Sequence, residues 1–327
     1  MTIESVAIIG AGSIGGTVAF GLLSNDDRYC LKEILLVDMS KDITQAQVID
    51  LSDASCGNVI VRGATFQEAG KCDLIILAAN TAPVEKEPQS KWLVRNQRFI
   101  HGMTTSMSPI QSNAFMIVAV EPVDIFVDQL RKATELKSDR IMGVGHITIC
   151  HRRFRRWFEE YQSGLQISPY ASDPWVIGTA KSPLVIWPKI KGSTTIDKKG
   201  KGSKLKKELG KEEDDDLIIT RMKELDELKN SWVGNAMFQS HLIREKKGDA
   251  WFGTSASVIQ LAKVLLNPDS THSLHMVVST FNPHFNLCTS LPVIITNQGI
   301  SSTIELSMTN SEKDTLISSS LDYFETL

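Results

Sequence analysis

Residues 5–15, SVAIIGAGSIG, constrain the chain more than any other stretch. An apolar run rich in β-branched residues ends in Gly10-Ala11-Gly12-Ser13-Ile14-Gly15, and GGTVAFGLLS (15–24) continues at helical spacing. A strand that turns on glycines straight into a helix aims the first amides of that helix, around Ser13 and Ile14, at an anion. In such a turn Gly10 permits the tight bend, Gly12 lets the backbone approach a pyrophosphate, and Gly15 lets helix and strand pack closely. Asp38 closes the next apolar run, EILLVDMS (33–40), at about the 20-residue distance expected of an acid that binds ribose hydroxyls. A carboxylate there repels a 2′-phosphate, so the motif predicts NAD rather than NADP. A glycine turn that serves packing alone is the competing reading; strand, helix and acid in register favour the nucleotide.

The same alternation continues. ITQAQVIDLSDAS (43–55) reads as a helix, and CDLIILAAN (72–80), AFMIVAV (114–120) and RIMGVG (140–145) read as buried strands. Apolar strands separated by helices predict an α/β fold with a doubly wound parallel sheet covered on both faces. The second half differs. HRRFRRWFEEYQ (151–162) predicts a charged helix in which Trp157, Phe158 and Tyr161 pack rather than stack on bases. WVIGTAKSPLVIW (175–187) predicts two short strands, residues 217–247 a long helix, and SASVIQLAKVLLN (255–267) an amphipathic helix. HMVVSTF, SLPVIITNQGI and TIELSM, between 275 and 308, predict antiparallel strands, with a last helix from Asn310. Two domains follow, residues 1–145 and an α+β unit of residues 146–327. A stretch at about 189–216, basic first and acidic last, reads as a solvated insertion or as a docking segment for a partner.

A net charge of −3 gives no basic field for nucleic acid, and no apolar run is long enough to span a bilayer. The N-terminus has no basic region before its first apolar run and is not read as a signal peptide. Cys30, Cys56, Cys72, Cys150 and Cys288 form no CxxC pair, which predicts neither zinc nor a disulfide framework and suits a reducing cytoplasm.

Taken together, several segments resemble the NAD-dependent lactate/malate dehydrogenase family. They are GAGSIGG, VIDLSDAS (48–55), CDLIILAAN, EPVDI (121–125), RIMGVG followed by RFR (153–155), WVIG (175–178) and SLPVIITNQGIS (290–301). The resemblance implies an N-terminal Rossmann domain, with Ala79 and Glu121 beside the cofactor, and a symmetric homo-oligomer. It also implies a mechanism: a histidine moves a proton, an aspartate holds that histidine, a loop arginine polarises the substrate carbonyl, and a second arginine grips the substrate carboxylate.

Here the pattern breaks. Arg153 falls at the carboxylate position, with Arg152 in the alternative register; a solvated basic helix is the competing reading. The aspartate position falls on Cys150, or on Ile149 in that other register. The histidine position falls on Ala180, and no histidine occurs between 152 and 240. The loop arginine position falls on Gln89, with Lys91 nearby. Glu121 replaces an asparagine, and Ala250 replaces a threonine. The expectation is a nucleotide-binding protein in which dehydrogenase catalysis is impaired or lost. A divergent oxidoreductase on a small 2-hydroxy or 2-oxo acid, with a base drawn from the His146, Cys150 and His151 cluster, is the alternative.

Overall fold

The structure is a computed structural model that describes residues 2–24, 29–55, 59–81, 84–163, 173–187, 215–248 and 250–325. Nearly all of the expected insertion at 189–216 lies outside the described residues, as does Cys56.

Six strands form the parallel part of the sheet: β1 (Ser5–Ile9), β2 (Glu33–Val37), β3 (Ile60–Gly63), β4 (Leu74–Leu77), β5 (Phe115–Val118) and β6 (Ile141–Gly143). They are connected through α1 (Ser13–Leu23), α2 (Lys41–Ala54), α3 (Phe66–Ala69), α4 (Gln89–Met107) and α5 (Val123–Ala133). Their spatial order is β3-β2-β1-β4-β5-β6. The chain builds outward from β1 to β3, then returns to β4 on the other side of β1. That reversal opens a crevice beyond the carboxyl ends of β1 and β4, where open α/β sheets bind ligands.

The rest of the chain continues with α6 (His146–Ser163), β7 (Trp175–Gly178), β8 (Pro183–Ile186), α7 (Asp215–Lys247) and α8 (Trp251–Leu266), then β9 (Leu274–Asn282), β10 (Leu287–Thr296), β11 (Gly299–Thr303) and α9 (Asn310–Glu325). The antiparallel run β9-β10-β7-β8 extends the sheet from β6 through a Gly143–Ser279 pairing, and β11 pairs with β10. The strand expected over TIELSM (303–308) does not form; only Thr303 of that run lies in a strand, as the last residue of β11. β11 stops at Thr303, although Ile304 N–H still reaches the Pro292 carbonyl at 2.8 Å. Leu306 and Met308 pack instead on Ile177, Leu291 and Leu316, so their alternation serves side-chain packing rather than a ladder.

The central strands are apolar throughout because both faces are covered. Val6 and Ile8 of β1 join a core with Val18 and Leu22 of α1 and Val258 and Leu261 of α8. Ala7 and Ile9 join a second core with Leu93 and Ile100 of α4 and Phe126 of α5. In α6, Phe154 and Phe158 are fully buried. The Phe154 ring meets Trp187 and Trp232 edge-on at 5.8 and 5.6 Å, so these aromatics pack the helix, as its sequence predicts.

Asp73 fastens the start of β1 to β4. Its carboxylate accepts from the Glu4 and Ser5 amides at 2.9 and 3.0 Å, from the Ser5 hydroxyl at 2.9 Å and from the Gln111 side chain at 2.9 Å. Burial pushes its pKa up, and these hydrogen bonds outweigh burial and leave it below the usual value. Asp73→Ala strands those donors, and a loss of about 2 kcal/mol is expected in urea unfolding.

Candidate functional site

A cavity of about 620 Å³ occupies the crevice beyond β1 and β4. Gly10, Gly12, Ser13, Ile14, Asp38, Ala79, Glu121 and His146 all line it. Gly10 has φ +101°, and a Cβ there would lie 2.7 Å from the backbone of Ala78 and Ala79. Gly15 does not line the cavity; a Cβ on it would lie 1.8 Å from the Gly10 carbonyl oxygen. Its role is to let α1 start directly against the turn. Gly12 differs from both. It is the N-cap of α1, no side chain caps that helix, and a Cβ built there meets nothing within 4 Å. Open space therefore sits against an uncapped helix N-terminus, which fits a phosphate group. Asp38 is oriented by the Ala11 amide (2.8 Å) and the Ser40 amide (2.9 Å) at the cavity wall.

A second cavity of about 560 Å³ adjoins the first and shares His146, Ala250 and Thr254 with it. Arg152, Arg153 and Arg156 of α6 line it, with Ser240 and Lys247 of α7. The Arg153 guanidinium donates to the Ala236 carbonyl at 2.6 Å and to the Ser240 hydroxyl at 2.7 Å. Arg152 donates to the Ser257 hydroxyl at 2.6 Å. Burial lowers the Arg153 pKa from its ordinary value, and Arg156 adds to the effect. At the junction of the cavities the His146 Nδ1 lies 3.1 Å from Glu121 Oε1. The same carboxylate accepts from the Val123 amide at 3.1 Å and from the His146 amide.

Residues 4–143 match the family model of the lactate/malate dehydrogenase NAD binding domain. The L-lactate dehydrogenase A of Rhizopus oryzae is 26% identical over 320 residues, covering 97% of this chain and 90% of its own length. The malate dehydrogenase of Aliarcobacter butzleri is 25% identical over 321 residues, covering 96% and 93%. Residues 4–143 thus carry the NAD binding domain of the lactate/malate dehydrogenase family, and the whole chain is similar to lactate and malate dehydrogenases. Among solved structures, a lactate dehydrogenase from a Medee basin deep-sea metagenome library superposes with a TM-score of 0.77 at 16% identity, covering 100% of this chain and 98% of its own. The lactate dehydrogenase from Eimeria maxima, solved with NADH and oxamate, superposes with a TM-score of 0.73 at 22% identity, covering 99% and 94%. At these identities the superpositions establish the shared fold.

Within this chain, the residues singled out by the resemblance separate. Gly10, Gly12, Ser13, Ile14, Asp38, Ala79 and Glu121 come together in the first cavity, and Arg153 and Arg152 in the second. Ala180 sits in the turn between β7 and β8 and lines neither. Gln89 is exposed at the start of α4, and Lys91 is exposed one residue beyond Ser90. The segment before α4 is clasped by Glu87, whose carboxylate meets Arg95 at 2.6 and 3.2 Å.

The cluster expected of His146, Cys150 and His151 is split by the pitch of α6. Ile149, not Cys150, faces the second cavity. Cys150 packs with Phe154, Val176 and Ala236, and burial pushes its thiol up to about 12, far from a nucleophile's range. His151 is buried, stacked on Trp175 at 4.9 Å, and its Nδ1 accepts from the Val176 amide at 3.4 Å. Only His146 of the three reaches the cavities. Its pairing with Glu121 was not foreseen from sequence. The available signal was a carboxylate beside an expected anion site, which requires a partner.

Proposed function

We propose that this chain binds NAD in the first cavity and a small carboxylate-bearing ligand in the second, and that it has lost the proton-transfer and carbonyl-polarising groups of its relatives. Residues 1–145 supply the nucleotide half and residues 146–327 the anion half. When bound, NAD supplies hydride chemistry beside Glu121 and His146; Gly12, Ser13 and Ile14 hold its phosphates and Asp38 its ribose. One observation carries the loss. The residues at the histidine and loop-arginine positions, Ala180 and Gln89, line neither cavity and carry no acid, base or cation. General acid–base help is worth ~10²–10⁴ in rate, and preorganised charge at the carbonyl often more. NADH titration should saturate in the micromolar range while pyruvate and oxaloacetate turn over slowly or not at all. Absence of NADH binding at millimolar concentration would defeat this reading.

A second reading has its own observation. The His146–Glu121 pair stands where the two cavities meet, in the arrangement of a base and the carboxylate that orients it. On this reading the chain is a divergent oxidoreductase with a relocated acid–base. Screening NADH oxidation across a panel of 2-oxo acids should then find a substrate whose kcat falls ~10²–10⁴-fold in His146→Ala. Silence across the panel, or activity indifferent to the substitution, removes this reading.

A further inference from the structure

The sheet order sets out the first cavity from end to end. Asp38 follows β2, Gly12 follows β1, Ala79 and Asn80 follow β4, and Glu121 follows β5; these strands lie side by side in the order β2-β1-β4-β5. All five residues line the cavity. With a ribose at Asp38 and the phosphates at Gly12, the second nucleoside of a dinucleotide extends toward Glu121. We infer that Glu121 makes this cavity selective for the oxidised nucleotide, its carboxylate favouring the positively charged nicotinamide of NAD⁺ over the neutral ring of NADH. The inference rests on the NAD binding proposed above and adds redox-state specificity to it.

Two helices hold the carboxylate in place. It accepts from the Val123 amide at the start of α5, at 3.1 Å, and from the His146 amide at the start of α6, with His146 Nδ1 also at 3.1 Å. Gly145 leaves it room, since a Cβ there would lie 2.5 Å from Oε1. Amides and a neutral imidazole fix a carboxylate without cancelling its charge. No lysine or arginine is among the described residues that line this cavity, where Asp38 and Glu121 are the carboxylates and His146 the third titratable group. The side chains that feel the Glu121 charge from α5 and α9, Asp124 and Tyr323, are not cations. The two redox forms share their phosphates and differ by one charge on the ring, so a fixed carboxylate at that end acts on the difference. Arg152, Arg153, Arg156 and Lys247 oppose it from the second cavity. Glu121 stands on the wall of the nucleotide cavity and they do not, and Coulomb attraction falls with distance.

Calorimetry on the full chain tests this with NAD⁺, NADH and ADP-ribose, which lacks the nicotinamide. Titrations run at pH 8.5, above the ordinary histidine range. The parent chain should bind NAD⁺ at least as tightly as NADH. Glu121→Gln keeps the side-chain length and an oxygen acceptor. It should weaken NAD⁺ on the order of 10-fold while NADH and ADP-ribose stay within about 3-fold of the parent. Their retained binding shows that the variant is folded. A parent chain that binds NADH more tightly than NAD⁺ would overturn the inference, whatever the variant does. So would a variant in which NAD⁺ and NADH change together. If none of the three ligands binds the parent chain, the nucleotide reading falls and takes the inference with it. If all bind and the ratio is indifferent to Glu121, the inference alone falls.

Discussion

Gly12→Asp is expected to abolish NADH binding without harming the fold. The backbone at Gly12, φ −75° and ψ −160°, is open to any residue, and a Cβ there meets no atom within 4 Å. Aspartate is a good N-cap, so stability should stay within ~0.5 kcal/mol of the parent chain or rise slightly. The added carboxylate caps the amides that a phosphate would use and repels it. Two charges about 4 Å apart interact by ~4 kcal/mol near a protein surface, so NADH affinity should fall on the order of 100-fold or more. Gly15→Ala is the control of opposite kind. Its Cβ would lie 1.8 Å from the Gly10 carbonyl oxygen, and the turn must shift to admit it. A stability loss of about 3 kcal/mol is expected there, with any binding loss secondary to it. Unchanged NADH affinity in Gly12→Asp would mean the glycines serve packing alone.

The second large effect lies far from the nucleotide. Burial, with Arg155 and Arg152 adding repulsion, lowers the His151 pKa to about 3. A histidine whose folded pKa lies below its ordinary 6.5 binds its proton first in the unfolded chain. Its stabilising contribution is therefore complete above pH ~6.5 and drains away as the pH falls toward ~3. At about 1.4 kcal/mol per pH unit, roughly 2 kcal/mol is lost by pH 5. Asp124 works in the opposite sense in the same window. Burial, helped by Glu121, pushes its carboxyl up to about 7, so the folded chain gains a proton there as acid is added. The clean quantity is thus the difference between the parent chain and His151→Phe, which retains a ring to stack on Trp175. Urea unfolding from pH 7 to pH 5 should show the parent losing about 2 kcal/mol more than the variant. Parallel curves would mean that His151 titrates as an ordinary histidine.

The nucleotide half was legible in the sequence because its signals are local. A glycine turn between strand and helix needs only neighbours in the chain, and the apolar runs of β1, β2 and β4 report two covered faces directly. Both cavities needed more. Whether Cys150 or Ile149 faces the ligand depends on the rotation of α6, which is fixed by Phe154 and Phe158 reaching Trp187 and Trp232 from distant segments. The charge of HRRFRR suggested a solvated face as readily as a site. Only the meeting of α6 with α7 shows that Arg152, Arg153 and Arg156 share a cavity with Lys247. The His146–Glu121 pair joins residues from two strand ends, β5 and β6, and no spacing rule announces it. TIELSM misled for a related reason: period-two apolar residues suit a strand, and here they pack a loop on α9.

A nucleotide site that persists without a group to move a proton and a cation to polarise a carbonyl binds NADH and fails to oxidise it at an enzymatic rate. The most direct test is single-turnover mixing of the NADH-saturated chain with excess pyruvate or oxaloacetate, following nicotinamide absorbance. Saturable NADH binding is expected together with oxidation at least ~10⁴-fold slower than the ~1–10³ s⁻¹ typical of enzymes. Oxidation within that typical range, surviving His146→Ala, would contradict it.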